Sequence, residues 1–414
     1  MQTLMGLVGV VVVLLIALAL SENRRAIRLR TVAGALAIQA GLGLFVLAIP
    51  FGQSVLLGLT NAVQSVIDSA QAGMDFVFGG LVSDTMFDVF GDGGFVFALR
   101  VLPIIVFFSS LVAVLYYLGI MRWVIKLMGG ALQKLLGTSR TESLSAAANI
   151  FVGQTEAPMA VRPFLSRMTR SELFAVMVGG LASVAGSVLG GYAAMGISLE
   201  YLLAASFMAA PGGLLMAKLI VPETEPPSQQ LEDVIDGEDD EAPANVIEAA
   251  ANGAASGVQL ALNVGGMLLA FIALIALGNQ ILGGIGGWLG YPDLTLELLL
   301  GYLFAPLAFL IGVPWEEAIH AGSFLGQKLV LNEFVAFANL AADPQALSAH
   351  ARAIVTFALC GFANLASIAI LMGGLGMMAP SRRSEIARLG LKAVAAGTLS
   401  NLMSATLAGV FLSL

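Results

Sequence analysis

The sequence predicts an all-α membrane protein that crosses the bilayer several times. Hydrophobic residues make up 58% of its 414 residues and charged residues only 11%, less than half the usual charged fraction of about one quarter. Apolar runs recur along most of the chain, and several reach the roughly 20 residues that a helix needs to cross a bilayer. These observations exclude a soluble protein, because so little charge could not cover so much apolar surface.

The distribution of Lys and Arg predicts how the chain crosses the membrane, because basic loops stay in the cytoplasm. With every basic cluster placed in the cytoplasm, the chain has eight transmembrane helices. Both termini then lie outside the cytoplasm. The predicted spans are residues 4–21, 31–50, 95–121, 171–196, 198–221, 257–280, 350–379 and 384–412.

One segment carries most of the net charge of −8. Residues 222–241 contain nine Asp and Glu residues and no Lys or Arg. Such a composition is typical of a solvated, flexible loop. The predicted topology places this loop in the cytoplasm.

Three apolar stretches remain without a crossing of their own. Residues 51–85 mix apolar residues with Gln, Asn and Asp, which favours a helix lying in the membrane interface. Residues 141–168 and 315–342 each begin and end on one side of the membrane, and each is too short for two full crossings. We therefore predict two re-entrant hairpins, which are tolerated where they are buried in protein or line a cavity.

The two hairpins are followed by similar sequences. The first precedes a span interrupted at Gly179–Ser187, and the second precedes a span interrupted at Cys360–Ser367, by Gly, Ser or Asn in each case. A further span follows each. Hairpin, broken helix and helix thus occur twice with opposite entry sides, the inverted repeat of secondary transporters. This pattern predicts a site near the membrane midplane.

Two carboxylates are the strongest candidates for that site. Glu156 and Glu333 lie at the hairpin tips within apolar sequence, and an ionisable group at bilayer depth costs at least about 3 kcal/mol. Amide and hydroxyl side chains lie close to them in the hairpins and in the two interrupted spans. Neither tip carries Lys or Arg, which favours a neutral, polar ligand. The neighbouring candidates are Gln154, Thr155, Asn332, Ser183, Asn364 and Ser367, with Phe362 as an apolar face.

A cation site is also compatible with this pattern, because Na+ binds oxygen ligands that include carbonyls freed by a broken helix. Asn149, Ser183 and the backbone carbonyls of Val152 and Val184 could supply four such oxygens. The alternative for Asn149 is that it only caps the hairpin turn. The single Cys360 cannot form an internal disulfide, and no Walker motif indicates ATP hydrolysis. We expect neither an enzymatic activity nor a nucleic-acid partner.

Three motifs resemble the concentrative nucleoside transporter family: the hairpin Asn149–Pro158, the tip Asn332–Phe337 and the interrupted span Phe362–Ile368. The likeness covers essentially the whole chain in order and spacing. It implies a sodium-driven nucleoside symporter with elevator-type alternating access and a homotrimeric assembly. Its partners would be a uridine-like nucleoside, sodium as the coupling ion, and the lipid bilayer.

The resemblance also implies roles for individual residues. Matching motif positions place Gln154, Thr155 and Glu156 against the nucleobase, with Val188 beside it. Glu333, Asn364 and Ser367 would hold the ribose, and Phe362 would line the pocket. The sodium ligands would be Asn149, Val152, Ser183 and Val184, with Val184 contributing its carbonyl.

The family likeness further implies a scaffold domain and a moving transport domain. We expect the scaffold to comprise residues 1–137 and 222–313, the second part including the acidic loop, span six and interfacial helices. The transport domain would comprise residues 138–221 and 314–414, each with one hairpin and two spans.

The residues alone leave other functions open. The same carboxylates could serve a proton-coupled nucleoside symporter, and the hairpins could serve another small neutral polar solute. A dicarboxylate or amino-acid transporter would need a cation for the substrate carboxylate, which the tips do not provide. An intramembrane enzyme using the two Glu residues in acid–base chemistry would leave the inverted repeat unexplained.

Overall fold

The computed structural model describes residues 2–226 and 243–414, and within these residues the chain is built of helices without a strand. The prediction for the acidic segment 222–241 therefore lies mostly outside the described residues. The first half contains α1 Gln2–Ala19, α2 Leu29–Ala48, α3 Pro50–Phe78, α4 Thr85–Phe90, α5 Phe97–Arg100, α6 Leu102–Tyr117, α7 Ile120–Leu136, α8 Arg140–Ala148 and α9 Arg170–Ala182.

The remaining helices continue in chain order. They are α10 Gly186–Ala194, α11 Leu199–Ile220, α12 Val246–Leu289, α13 Leu296–Leu310, α14 Ala318–Val330, α15 Glu333–Ala342, α16 Ala349–Leu359, α17 Ser367–Met378 and α18 Arg383–Leu412. Within residues 2–226 and 243–414, six helical stretches are long and apolar enough to cross a membrane, and two of them, 97–117 and 170–194, each combine two of these helices. They coincide with predicted spans two to six and eight. Span one corresponds to the shorter α1, and span seven to the pair α16 and α17.

Two regions differ from the sequence-based expectation. Predicted span six (257–280) covers only the middle of α12, whose 44 residues extend about 66 Å at 1.5 Å per residue. Residues 249–292 carry no charge, so no charged residue in this stretch marks where a transmembrane helix begins or ends. Asn245 begins the helix by accepting the N–H groups of Ile247 and Glu248, and Gly290 ends it at φ 84°.

The helix α13 falls where only interfacial helices were expected. It packs along α14, and the two backbones approach closely because glycines face each other: a Cβ on Gly322 would lie 2.7 Å from the carbonyl oxygen of Gly301. The second hairpin segment, residues 315–342, therefore packs on α13. The hydrophobic pattern of the sequence did not distinguish this helix from the apolar sequence around it.

Two long helices bury one narrow face each. In α7 the buried residues recur every three or four positions, at Met121, Ile125, Gly129, Leu132 and Leu136, the period of an amphipathic helix. The helix α3 begins at Pro50, which suits a first helical position, and it occupies most of the region predicted as an interfacial helix. Its placement at the interface stays a prediction.

The centre of the protein is formed by helices buried on nearly all sides. Almost every residue of α9, α11 and the second half of α18 is inaccessible. The helices α1 and α2 pack against α11 and α18. Between α2 and α18, the Gln39 amide donates to the Ser404 hydroxyl (Nε2 to Oγ, 2.9 Å), and Gly212 on α11 leaves room for Gln39.

A buried ionic cluster ties the beginning of the first hairpin segment to α9 and α11. Lys218 Nζ lies 2.5 Å from Glu142 Oε2 and 2.9 Å from Ser171 Oγ, to which it donates. Glu223 accepts a bond from the Thr169 hydroxyl at 2.9 Å and is 9% exposed. The prediction of a solvated segment 222–241 is thus wrong at Glu223, because this carboxylate shares the buried Lys218.

A second ionic group holds the loop after α1. The Glu22 carboxylate accepts bonds from Arg170 of α9 and from Lys392 of α18, at 2.9 and 2.6 Å, and its backbone N–H donates to the Ile220 carbonyl. Hydrogen bonding from Arg170, supported by Lys392, outweighs partial burial and lowers the pKa of Glu22 to about 2.

We expect Glu22→Gln to lower the melting temperature of the purified protein at pH 7, because it removes the charge that both cations contact. Because folding lowers the pKa of Glu22, its carboxylate stabilises the fold fully at pH values above the ordinary pKa of 4.5. This stabilisation fades as the pH falls towards about 2. The melting-temperature difference from wild type should therefore shrink between pH 7 and pH 3. Glu316→Gln, at an exposed carboxylate, serves as the control. An equal difference at both pH values would contradict the assignment.

Candidate functional site

The first hairpin segment begins at a well-defined helix start. Ser139 and Glu142 form a capping box, in which each side chain accepts the backbone N–H of the other residue. The helix α8 then ends at Asn149, and the chain turns before a short 3-10 segment, Ala157–Phe164, packs back onto α8. At the turn, the Gly153 N–H donates to Glu156 Oε2 at 3.1 Å.

The carboxylates at the two tips have different surroundings. Glu156, which the sequence places at an apolar hairpin tip, is exposed. Its side chain bends back to the Gly153 N–H instead of entering the core. Glu333 is 3% exposed.

The turn of the first hairpin segment lies against the break between α9 and α10. The helix α9 ends at Ala182, Ser183 is extended (φ −109°, ψ 169°), and α10 begins at Gly186. The Gly186 N–H donates to the Phe151 carbonyl at 2.9 Å. Gly180 is required here, because a Cβ at that position would come within 2.8 Å of the Gln154 Cβ.

The predicted cation ligands lie within three residues of this contact in the chain. Asn149, Val152, Ser183 and Val184 are all at most 3% exposed. The Asn149 amide nitrogen donates to the Ser145 carbonyl at 2.9 Å, which is the capping role considered above, whereas its Oδ1 has no partner among the described residues. An isolated buried acceptor costs about 1–3 kcal/mol, so this oxygen suits a bound cation.

The second hairpin segment presents Glu333 at the start of α15. Asn332 caps this helix by accepting the Val335 N–H at 2.9 Å. The Glu333 carboxylate accepts bonds from the Tyr192 hydroxyl at 3.1 Å and from the Asn364 amide at 3.4 Å. The break after α16 therefore lies beside the second tip.

The break between α16 and α17 and the first residue of α17 also supply three other residues predicted for the substrate site, Phe362, Asn364 and Ser367. The Ser367 N–H donates to Asn364 Oδ1 at 2.9 Å, and the Ser367 hydroxyl donates to the Phe362 carbonyl at 2.5 Å. Glu333, Asn364 and Ser367 thus form one connected cluster. The Phe362 N–H donates to the Ser183 carbonyl at 3.1 Å, which joins the two helix breaks directly.

The remaining predicted residues lie on the side of the first tip. Gln154 is 6% exposed and its Oε1 has no protein partner. Thr155 reaches α17, where a Cβ at Gly374 would come within 2.7 Å of its methyl group. Val188 is 2% exposed on the first turns of α10.

Sequence reasoning missed three buried polar residues around the site. The Tyr192 ring packs at a tilt against Phe334 and Phe337, with centroid distances of 4.7 and 4.6 Å, and its hydroxyl donates to Glu333. Lys328 and Asn401 bond each other at 2.7 Å. In sequence, Lys328 is one of three cations outside the basic clusters, with Arg100 and Arg352.

The arrangement defines a helical membrane transporter, with two chain turns meeting two broken helices around unpaired polar groups. Family models described as "Na+ dependent nucleoside transporter N-terminus", "Nucleoside recognition" and "Na+ dependent nucleoside transporter C-terminus" match residues 8–81, 98–199 and 201–409. The nucleoside permease NupC of Helicobacter pylori is 54% identical over 418 residues, which cover 100% of this chain and 99% of that protein.

Solved structures agree with this assignment. CNTnw in an inward-facing substrate-bound state is 60% identical and superimposes with a TM-score of 0.96, covering 100% of this chain and 98% of that one. A CNTnw variant in an outward-facing state, also 60% identical, gives 0.97 and covers 100% and 99%. The chain belongs to the Na+-dependent nucleoside transporter family, which confirms the resemblance found in the sequence.

We expect Tyr192→Phe to destabilise the purified protein, because it removes one of the two side-chain donors to the buried Glu333 carboxylate. Loss of a partner to a buried acceptor costs about 1–3 kcal/mol, which thermal unfolding in detergent can detect. The control is Tyr201→Phe, which removes a hydroxyl from a half-buried ring packed on Phe357. Equal melting temperatures for Tyr192→Phe and wild type would contradict the role of this bond.

Proposed function

We propose that this protein imports a uridine-like nucleoside together with sodium. The observation that carries the proposal is the meeting of the two turns with two broken helices, joined by the bond from the Phe362 N–H to the Ser183 carbonyl. One helix break would serve the cation and the other the substrate, so that each ligand stabilises the arrangement that the other needs.

The polar groups divide into two sides that suit the two halves of a nucleoside. Glu333, Asn364 and Ser367 would hold the ribose, because a buried carboxylate and amide can bind vicinal hydroxyl groups. Gln154, Thr155 and Glu156 would meet the edge of the base. The Gln154 Oε1, which has no protein partner, is available for a donor on the base.

Val188 and Phe362 would give the base its apolar contacts. Val188 is buried at the start of α10, and Phe362 is partly exposed beside the second break. Planar heterocycles suit such a surface, because an aromatic ring can stack on them. These two residues supply shape, whereas the amides and carboxylates supply specificity.

The sodium ion would be held by Asn149 Oδ1, the Ser183 side chain and the carbonyls of Val152 and Val184. Sodium prefers oxygen ligands, and the Asn149 oxygen is buried without a protein partner. A cation there would draw the first turn onto the α9–α10 break. It would thereby fix Gln154 and Thr155 for the base.

Transport would follow an elevator-type alternating access, with two re-entrant hairpins inside an inverted repeat. The outward-facing and inward-facing states named for CNTnw support movement between two orientations. Our proposed division keeps residues 138–221 and 314–414 in the moving part and 1–137 and 222–313 in the scaffold. The packing favours one adjustment: α1 and α2 would move with α11 and α18, since Gln39 bonds Ser404 across them.

We further propose a homotrimer in the bacterial inner membrane, with eight spans and both termini in the periplasm. The distribution of basic residues supports the orientation, and the family resemblance supports the trimer. The long α12 and the α6 helix that packs on it would belong to the stationary part.

The buried Glu333 favours one alternative, a proton-coupled nucleoside symporter. A carboxylate that is 3% exposed could bind a proton in one state and release it in the other. This alternative would keep the nucleoside site and dispense with the cation at Asn149.

Uptake of radiolabelled uridine into proteoliposomes tests both versions. We expect uptake to require an inward sodium gradient and to fall at least about tenfold in Asn149→Ala, because the cation loses a ligand. Asn263→Ala, at an exposed amide of α12, is the matched control and should transport normally.

Three results would change the proposal. Uptake that ignores sodium but follows a proton gradient would keep the substrate and replace the ion. Normal sodium-driven uptake in Asn149→Ala would remove this residue from the cation site. Folded protein that takes up no uridine under either gradient would overturn the nucleoside assignment.

A further inference from the structure

A single amide side chain contacts both helix breaks. Asn401 lies on α18 and is 2% exposed. Its Nδ2 donates to the Ala182 carbonyl at 2.6 Å and to the Cys360 carbonyl at 2.9 Å. The first carbonyl belongs to the last residue of α9, and the second follows directly after α16.

The third group bound to this amide comes from the second hairpin segment. Lys328 on α14 is 3% exposed, and its Nζ donates to Asn401 Oδ1 and to the Ala358 carbonyl, both at 2.7 Å. A second bond runs in parallel, from the Leu365 N–H to the Leu329 carbonyl at 3.2 Å. The helix that leads to Glu333 is therefore fixed to the α16–α17 break.

Few side chains could replace Asn401. An amide offers two N–H donors and one acceptor on a short stem, and all three functions are used here. The Asn401 amide also fits closely against its neighbours, because a Cβ at Gly361 would collide with it. One turn earlier, α18 packs closely on α9, since a Cβ at Gly397 would lie 2.9 Å from the Leu181 side chain. The amide can hardly shift without moving both breaks.

We propose that Asn401 and Lys328 are positioning residues that transmit the effect of the cation to the nucleoside. This inference rests on the proposed function. Ala182 immediately precedes the proposed cation ligand Ser183, and Cys360 lies two residues before Phe362. A cation that orders Ser183 also orders the Ala182 carbonyl, and Asn401 passes this constraint to the second break and to α14.

The measurable quantity is the coupling factor, the ratio of uridine dissociation constants without and with sodium. Such factors typically lie between about 5 and 150. We expect Asn401→Leu and Lys328→Met to reduce the wild-type factor at least about fivefold. Uridine affinity without sodium should change less than about threefold, because neither side chain is proposed to contact uridine.

Isothermal titration of uridine into the full-length protein in detergent, in sodium and in choline buffer, provides this ratio. Asn401→Asp keeps an acceptor for Lys328 but lacks the amide donors, so it should lose coupling as well. Ser404→Ala, one turn further along α18, should keep the wild-type factor. Size exclusion and melting temperature identify variants that fold.

The outcomes separate the inference from the function on which it rests. A wild-type coupling factor in folded Asn401→Asp or Lys328→Met would overturn the inference alone. So would an equal loss of affinity in both buffers, since that result indicates a purely structural role. Wild-type protein whose uridine affinity ignores sodium would overturn the sodium proposal and the inference together.

Discussion

The structure depends on the cost of interrupting helices inside an apolar core. Each break leaves backbone N–H and C=O groups without intrahelical partners, and burial in an apolar core requires that other groups satisfy them. The protein pairs these groups with other irregular segments: Gly186 with Phe151, and Phe362 with Ser183. The two breaks and the first turn therefore satisfy part of each other's backbone, which gathers the polar residues at one place.

The same constraint explains how the polar groups beside the breaks are paired. The Asn401 amide and Lys328 satisfy the carbonyls of Ala182, Cys360 and Ala358, and Tyr192 and Asn364 satisfy Glu333. The oxygens of Asn149 and Gln154 are left over on the first side. Among the residues proposed to bind ligands, these two side-chain oxygens lack a partner in the described part of the chain, which suits ligands that bind and dissociate.

Much of the fold could be predicted from sequence because apolar length and basic residues are strong signals. Predicted spans two to six and eight coincide with long apolar helices, and the interrupted spans break near the expected Ser183 and Phe362. The limits of α12 and the separate α13 could not be predicted, because residues 249–292 carry no charge. The roles of Tyr192 and Asn401 depend on contacts between distant segments, which spacing along one helix does not show. Glu156 and Glu333 looked equivalent in sequence, but the packing around Tyr192 buries Glu333, whereas Glu156 is exposed.

The central claim is that cation and nucleoside occupy one connected site and therefore move together. The most direct test is whether an inward uridine gradient drives radiolabelled sodium into proteoliposomes that contain equal sodium on both sides. The account predicts transient sodium accumulation in wild-type protein, which stops when the uridine gradient has dissipated. Uridine entry without any sodium movement would contradict it.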